Sequence, residues 1–324
     1  MSRATMKLLF AAVLAATAVS GEALAQRVTI VTNQQGSLAY SAGAALAKVM
    51  NEKLGTQARI QPTGGSSTFY PLLNRGEAQY GFSSALETLF AQTGTGTYEG
   101  KPLPNLRVVA EVFDLFQALF VANDSPVKKQ SDIKGLKIGG TFTSQKIVTY
   151  TQNALLANAG LKPSDMIEVP VTNANGAING VGAGRIDTSF GPPGSGVVQN
   201  AHAALSSHGG IRFLPIDTSP EALRRMREVI PMASAFMLKP RKNLPGILSE
   251  IPVMAYPFAL VAGKDTPDEQ VYQLVKMMYA NKAALAKAFP AYGRFNPKNM
   301  ARMKQGEFHP GAIRFYKEAG IWTR

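Results

Sequence analysis

The sequence predicts an α/β protein built as two doubly wound lobes that two long hinge strands join. First, short apolar runs alternate with longer segments whose apolar residues recur at helical spacing, as strands and helices around a parallel sheet do. Second, two longer β-rich runs, at residues 106–124 and 251–265, contain no helical pattern. At 324 residues, the chain is long enough for two domains of ordinary size.

Three strand-loop-helix units make up the beginning of the first lobe. The run RVTIVT precedes the loop NQQGS, after which Ala42, Leu46 and Val49 fall on one face of a predicted helix. The run ARIQP leads through TGGSS to a helix near residues 69–74, and YGFSS leads to a helix that includes Leu86. Three such units in succession favour a parallel sheet.

The second lobe repeats this alternation after the first long β run. The run LKIGG precedes a predicted helix near residues 144–159, and the run MIEVPV precedes a predicted helix near residues 174–182. The run RIDTSF precedes a predicted helix that begins after GPPGSG, and the predicted strand IRFLPID follows that helix. Beyond the second long run, a helix is predicted from about Pro267 to Ala288, with Pro267 in its first turn. Pro310 is predicted to begin a last helix, which packs the C-terminus onto the first lobe.

The N-terminus has the pattern of a cleaved signal peptide. Arg3 and Lys7 precede an apolar run over residues 8–19, and Ala-Leu-Ala at 23–25 is a typical cleavage site. We therefore expect residues 1–25 to be removed, with residues 26–115 plus 256–324 as lobe one and residues 116–255 as lobe two. Cysteine is absent, which excludes disulfides, thiolate chemistry and a lipid anchor on cysteine. An exported protein without an anchor is expected in the periplasm.

Charge and motifs argue against nucleic-acid binding and against catalysis. The net charge is +13, but the basic residues are scattered and lack the interleaved aromatics of single-strand binders. The histidines at 202, 208 and 309 are isolated, and no Gly-x-Ser-x-Gly motif is present. GVGAG at 180–184 follows a helix rather than a strand, and GGTFTSQK at 139–146 lacks a P-loop ending. We expect no enzyme activity, no cofactor and no metal.

The loops at the carboxyl ends of the strands are the predicted solute site. Ligands of open parallel sheets bind at that edge, where helices begin with unpaired N–H groups, and Gly, Ser and Thr allow a close approach. The alternative for Ser66 and Ser84 is helix capping. The candidate solute-binding residues are Asn33, Gln34, Gln35, Gly36, Ser37, Tyr40, Gly64, Gly65, Ser66, Ser67, Ser83, Ser84, Thr141, Phe142, Thr143, Ser144, Gly191, Pro192 and Tyr256.

Several segments together resemble the TAXI family, the solute receptors of tripartite ATP-independent periplasmic (TRAP) transporters. They are QPTGGSSTFYPLLNRGEAQYGFSSA, LRVVAEVFDLFQALFVANDSPVKKQSDIKGLKIGG, GGIRFLPID and FHPGAIRFYKEAG, and the resemblance covers residues 28–324. It implies a type II periplasmic-binding-protein fold that closes on a small, commonly carboxylate-bearing solute. It also implies delivery of that organic anion to a membrane permease driven by an ion gradient.

Two loops depart from the pattern of that family. The first reads Thr-Asn-Gln-Gln-Gly-Ser at 32–37 with the single tyrosine Tyr40, where the family has Thr-Gly-Gly and paired tyrosines; its glutamines suggest a solute with donors and acceptors. The second loop reads Thr-Phe-Thr-Ser at 141–144, where the family has Gly-Ser-Gly-Thr, and its Phe142 narrows the pocket, stacks on a ring of the solute or packs in the core. Lys146 either adds positive charge or is solvated. Bending is expected near residues 113–117 and 254–256.

The sequence leaves two other classes of protein function open. A receptor for an ABC importer would share the fold, and only the neighbouring permease or a transport assay separates it from a TRAP receptor. An exported α/β hydrolase is disfavoured because no nucleophile has a credible base. The receptor is expected to act as a monomer.

Overall fold

A computed structural model describes residues 27–324, so the predicted signal peptide lies outside the described residues. The strands are β1 (Arg27–Thr32), β2 (Gln57–Pro62), β3 (Tyr80–Ser84), β4 (Leu106–Ala122), β5 (Lys137–Thr141), β6 (Ile167–Val171), β7 (Thr188–Gly191), β8 (Ile211–Phe213), β9 (Ser234–Leu238) and β10 (Ile251–Gly263). The helices are α1 (Leu38–Leu54), α2 (Ser66–Asn74), α3 (Ala85–Thr93), α4 (Val148–Asn158), α5 (Ala174–Gly182), α6 (Gly196–Ala204), α7 (Pro220–Val229), α8 (Asp268–Ala280), α9 (Lys282–Ala288) and α10 (Pro310–Glu318). The predicted α/β class is confirmed.

The first three strands form the parallel sheet that the alternation predicts. β1 lies between β2 and β3 and is parallel to both, and β10 continues this sheet as an antiparallel neighbour of β3. Helix α1 begins where Ser37 accepts a hydrogen bond from the Tyr40 N–H and ends at Gly55, which adopts a left-handed conformation. Its predicted apolar face, including Leu46 and Val49, is fully buried.

The two long β runs are one strand each, and they pair with each other in the middle of the molecule. β4 pairs with β10 over most of its length, and from Ala118 onward it pairs instead with β7. Residues 115–117 of β4 lie directly opposite residues 254–256 of β10. The two segments at which we expect bending therefore lie side by side on paired strands.

The second group of strands is built around β5, which is parallel to β6 and to β7. Two elements between β8 and β10 were not predicted, helix α7 and the strand β9, which pairs with β10. Helix α7 buries only Ala222 and Met226, so its apolar stripe is too narrow to be seen in the sequence. The helix after GGTFTSQK begins at Val148 rather than near Ser144.

The C-terminal residues differ in two respects from the expectation. The predicted helix from Pro267 to Ala288 is divided into α8 and α9 at Asn281, whose side-chain amide donates to the Met277 carbonyl over 2.8 Å. Pro267 caps α8 instead of lying in its first turn. As predicted, Pro310 begins the last helix, which packs against α8.

The segment before α10 is bound to β4. The Val108 N–H donates to the Glu307 carbonyl over 2.7 Å, and the His309 N–H donates to the Val108 carbonyl over 2.9 Å. Within residues 27–324, no helix is both long and apolar enough to cross a bilayer.

Candidate functional site

A cavity of about 80 Å³ lies between the two groups of strands, next to the central pair of β4 and β10. A water molecule needs roughly 10–15 Å³ of such space, so the cavity has room for a small solute. The lining residues are Asn33, Ser37, Leu38, Ala39, Phe82, Ser83, Ser84, Leu115, Gln117, Gln145, Ile147, Val148, Thr151, Ala174, Asn175, Ile178, Phe190, Pro192, Val197, Tyr256 and Phe258.

Helix N-termini surround this cavity. The first turns of α1, α4, α5 and α6, and the Ser84 cap of α3, all contribute lining residues. Each N-terminus has backbone N–H groups without intrahelical partners and a partial positive charge. No Asp, Glu, Lys, Arg or His of the described chain lines the cavity. Its positive character therefore comes from backbone dipoles and not from ionised side chains.

Six of the predicted residues line the cavity, and all but Pro192 are polar. Ser37 and Ser84 are the caps of α1 and α3, and their hydroxyl oxygens accept from the N–H groups of Tyr40 (3.1 Å) and Glu87 (3.2 Å). Capping and lining are thus compatible roles, because the hydroxyl hydrogens are left to donate to a solute. The six lining residues are Asn33, Ser37, Ser83, Ser84, Pro192 and Tyr256.

A second set of predicted residues forms a contact between the two groups of strands beside the cavity, which we name the loop contact. The loops after β1 and β2 meet the loops after β5, β6 and β7 through five hydrogen bonds. They join Ser144 Oγ to the Gly64 carbonyl (2.9 Å), Asn173 Nδ2 to the same carbonyl (3.0 Å), the Lys146 N–H to Ser67 Oγ (3.1 Å), Asn175 Nδ2 to the Gln35 carbonyl (3.2 Å) and the Val197 N–H to the Gly36 carbonyl (3.0 Å).

Gly65 belongs to the same contact because a side chain does not fit there. A Cβ atom added to Gly65 would be 2.2 Å from the Ser144 carbonyl oxygen. Nearby, Phe90 and Tyr150 are in edge-to-face contact across the two groups of strands, with ring centroids 5.0 Å apart. The side chain of Lys146 is exposed and does not line the cavity.

The remaining predicted residues lie outside the cavity wall. Gln34, Thr141 and Thr143 are exposed, and Tyr40 lies in the first turn of α1. Ser66 is the buried first residue of α2, and Gly191 is buried against Val198 and Ile178. Phe142 has the core-packing role: its side chain is buried and its ring contacts Phe190, which itself lines the cavity. Thr141 and Phe142 both have positive φ angles, 70° and 42°, which few residues other than glycine adopt.

Four polar lining residues were missed: Gln117, Gln145, Thr151 and Asn175. The sequence does contain an indication for Gln117, because a polar residue within the apolar run LFQALF of a buried strand is unusual and points to a role at a site. Its side chain is 7% exposed, and its Oε1 has no hydrogen-bond partner among the described residues. Thr151 lies on α4, whose N-terminal sequence has no distinctive pattern.

The hydroxyl groups of Tyr256 and Thr151 are 2.9 Å apart, and this bond links β10 to α4 at the cavity. Burial raises the pKa of Tyr256 to about 12, so its hydroxyl stays protonated at neutral pH. Gln145 accepts from the Ala174 N–H over 3.2 Å through Oε1, which leaves its amide hydrogens for a solute. The wall therefore offers donor hydrogens of Ser37, Ser84 and Gln145 together with the acceptors Asn33 Oδ1 and Gln117 Oε1, which have no hydrogen-bond partner within residues 27–324.

A buried carboxyl group lies directly behind the wall. Glu87 on α3 is fully buried, it accepts from the Ser83 hydroxyl, and its other oxygen accepts from the Tyr98 hydroxyl over 3.1 Å. Burial raises the pKa of Glu87 to about 7, although the hydroxyls of Ser83, Ser66 and Tyr98 lower it. Glu87 was not singled out in the sequence because it reads as an ordinary residue of the first helical turn.

The histidines lie away from the cavity. His202 Nδ1 accepts from the Ile211 N–H, His208 contacts Asp124 over 2.7 Å, and buried His309 caps α10. Among residues 27–324, no group of His, Asp and Glu is arranged to hold a metal ion.

Comparison with solved structures identifies the fold. A protein described as a periplasmic transporter matches with a TM-score of 0.56 and 15% sequence identity, over 92% of this chain and 94% of that one. The substrate binding protein of an amino acid ABC transporter matches with a TM-score of 0.50 and 14% identity, over 82% of this chain and 99% of that one. The architecture is thus that of periplasmic binding proteins. The model of the NMT1-like family matches residues 30–320, and the protein therefore belongs to the NMT1-like family.

Proposed function

We propose that this protein is a periplasmic receptor that closes on a small polar solute and delivers it to a membrane transporter. The observation that carries the proposal is the cavity between the two groups of strands, with helix N-termini around it and the loop contact beside it. A solute that contacts both sides favours closure by the difference between its affinities for the closed and open states. The similar structures support this role, since their names are those of transport proteins.

The solute is proposed to be a small organic anion, with a carboxylate as its charged group. The partial positive charge of the helix N-termini favours an anion, and the hydroxyl hydrogens of Ser37 and Ser84 and the amide hydrogens of Gln145 are donors at the cavity wall. The amides of Asn33 and Gln117 add acceptors for a polar group elsewhere on the solute. A fully ionised cation would meet partial positive charge at several helix ends and no carboxylate on the wall.

The lobes are proposed to be residues 26–115 plus 256–324 and residues 116–255. Bending is proposed where residues 115–117 of β4 lie opposite residues 254–256 of β10, because β4 changes here from pairing with β10 to pairing with β7. The receptor is proposed to be a monomer in the periplasm, exported through the signal peptide at residues 1–25.

The transporter is proposed to be of the TRAP type, on the strength of the TAXI-like segments. An ABC importer is the second candidate, favoured by the likeness to the amino acid ABC transporter protein. Solute uptake by cells that contain the receptor and its permease separates the two. Uptake that stops when the ion gradient is collapsed but ATP is maintained supports TRAP, and uptake that follows ATP supports ABC.

The binding role is tested by releasing small molecules from natively purified protein with denaturant and identifying them by mass spectrometry. Each candidate is then added back, together with a panel of mono- and dicarboxylates that includes pyruvate and succinate. At about a thousand times Kd, a ligand adds roughly 4 kcal/mol to the unfolding free energy, which raises Tm by about 8–16 °C. A shift with the solute unchanged after long incubation supports a receptor, turnover supports the hydrolase, and no shift with any acid refutes the anionic solute.

A further inference from the structure

We propose that Glu87 is a positioning residue that couples solute binding to proton uptake, by deciding whether the Ser83 hydroxyl hydrogen is available to the solute. The inference rests on the proposed function, because it requires an anionic solute in the cavity. It is carried by the position of a fully buried carboxyl group one hydrogen bond behind a residue of the cavity wall.

The surroundings of Glu87 contain hydroxyl groups and no cation. Ser83 and Tyr98 bond to its two oxygens, and no described Lys, Arg or His forms an ion pair with it. The titratable groups that face it are Tyr70, Tyr98 and Tyr256, and burial raises the pKa of all three above the ordinary tyrosine value. Since these tyrosines stay protonated at neutral pH, Glu87 is the group of this cluster that changes charge there.

The direction of the Ser83 hydrogen bond depends on the proton of Glu87. An ionised carboxylate only accepts, so Ser83 must donate its single hydrogen to Glu87 and can offer the solute only lone pairs. A protonated carboxyl donates to Ser83 Oγ instead, and the Ser83 hydrogen is then free to donate to a solute oxygen. One proton is taken up from solvent at Glu87, and no other bond is made or broken.

Protonation of Glu87 also raises the solute affinity through its effect on the local charge. A carboxylate solute brings negative charge to a wall whose next layer is the Glu87 carboxyl, and burial weakens the screening between them. With Glu87 neutral, that repulsion disappears and the helix N-termini are left to attract the anion. Solute binding therefore raises the proton affinity of Glu87, and protonation of Glu87 raises the solute affinity by the same factor.

The expected signature is an affinity that falls as pH rises. With a pKa of about 7 in the free protein, Kd should increase about 30-fold between about pH 6 and about pH 8.5, and the carboxylate solute is an anion throughout this range. Isothermal titration calorimetry in buffers of different ionisation enthalpy should show uptake of close to one proton per solute at the higher pH. The probe is the acid with the largest Tm shift in the pyruvate and succinate panel at about pH 6.

Two variants separate this role from a structural one. Glu87→Gln keeps a group that donates to Ser83 and another that accepts from Tyr98, so its Kd should be the same at both pH values and its proton uptake should vanish. Glu111→Gln is the matched control: Glu111 is a second buried carboxyl with a pKa raised by burial, but it bonds Arg302 and does not line the cavity. It should keep the pH dependence of the unmodified protein.

The outcomes decide between the two levels of the proposal. If no acid binds at either pH, the proposed function fails and this inference fails with it. If an acid binds with equal Kd at both pH values and without proton uptake, the inference alone is refuted. Retention of the full pH dependence by Glu87→Gln refutes it as well. If Glu87→Gln does not fold, the inference is tested by the proton uptake of the unmodified protein on solute binding and by its reduction in Ser83→Ala. Absence of either result refutes the inference.

Discussion

Substitution of Gly65 by alanine should weaken solute binding while the solute-free protein stays folded. The added Cβ must move from 2.2 Å to at least 3.0 Å from the Ser144 carbonyl oxygen, and only separation of the two loops achieves that. Three of the five hydrogen bonds of the loop contact involve a residue within two positions of Gly65, namely the two to the Gly64 carbonyl and the one from the Lys146 N–H to Ser67.

The magnitude follows from those three bonds. At about 1 kcal/mol of net stabilisation for each, the closed state loses roughly 3 kcal/mol. Because about 1.4 kcal/mol corresponds to a factor of ten, Kd should rise about a hundredfold. The three atoms nearest to the added Cβ belong to Ser144 and Gln145 on the opposite loop and not to the hydrophobic core. The unfolding free energy of the solute-free protein should therefore change far less than the binding free energy.

Calorimetric titration of the solute and urea unfolding without it measure the two quantities. Gly293→Ala is the matched control, since a Cβ added to Gly293 meets no atom within 4 Å and should alter neither value. An unchanged Kd in Gly65→Ala would refute the argument that this contact accompanies solute binding. If Gly65→Ala loses as much unfolding free energy without solute as it loses binding free energy, the substitution destabilises the fold itself and does not act on closure.

Two further predictions concern hydroxyl and carboxyl groups at the cavity. Tyr256→Phe removes the hydrogen bond to Thr151 and should raise the solute Kd by about 2- to 10-fold. The control is Tyr292→Phe, which loses a hydrogen bond to the Ala42 carbonyl away from the cavity and should lower only the unfolding free energy. Similar changes of Kd in the two variants would contradict this prediction. Because the pKa of Glu87 is raised from 4.5 to about 7, its contribution to stability is complete below pH 4.5 and is lost as pH rises through 7. Urea unfolding of the solute-free protein should show a loss of roughly 3 kcal/mol over that range relative to Glu87→Gln, and parallel pH profiles would refute the buried, neutral carboxyl.

Much of the architecture is readable from local pattern. The apolar face of α1, the strand-loop-helix alternation and the two long runs at 106–124 and 251–265 predicted the elements, because burial and helical or strand periodicity act over neighbouring residues. The missed elements, α7 and β9, have narrow or exposed apolar faces. The break at Asn281 was missed because the sequence on both sides of it favours a helix.

The sequence by itself determined which loops meet a cleft, but the tertiary structure decided what each loop does there. Ser37 and Ser84 line the cavity, while Gly64, Ser67 and Ser144, which belong to similar Gly- and Ser-rich loops, hold the two sides together. Local composition cannot separate these roles, because the difference lies in which residues of a distant loop are opposite. Glu87 makes the same point: its helical position is ordinary, and only packing against Ser83, Tyr98 and Tyr70 removes it from water and shifts its pKa.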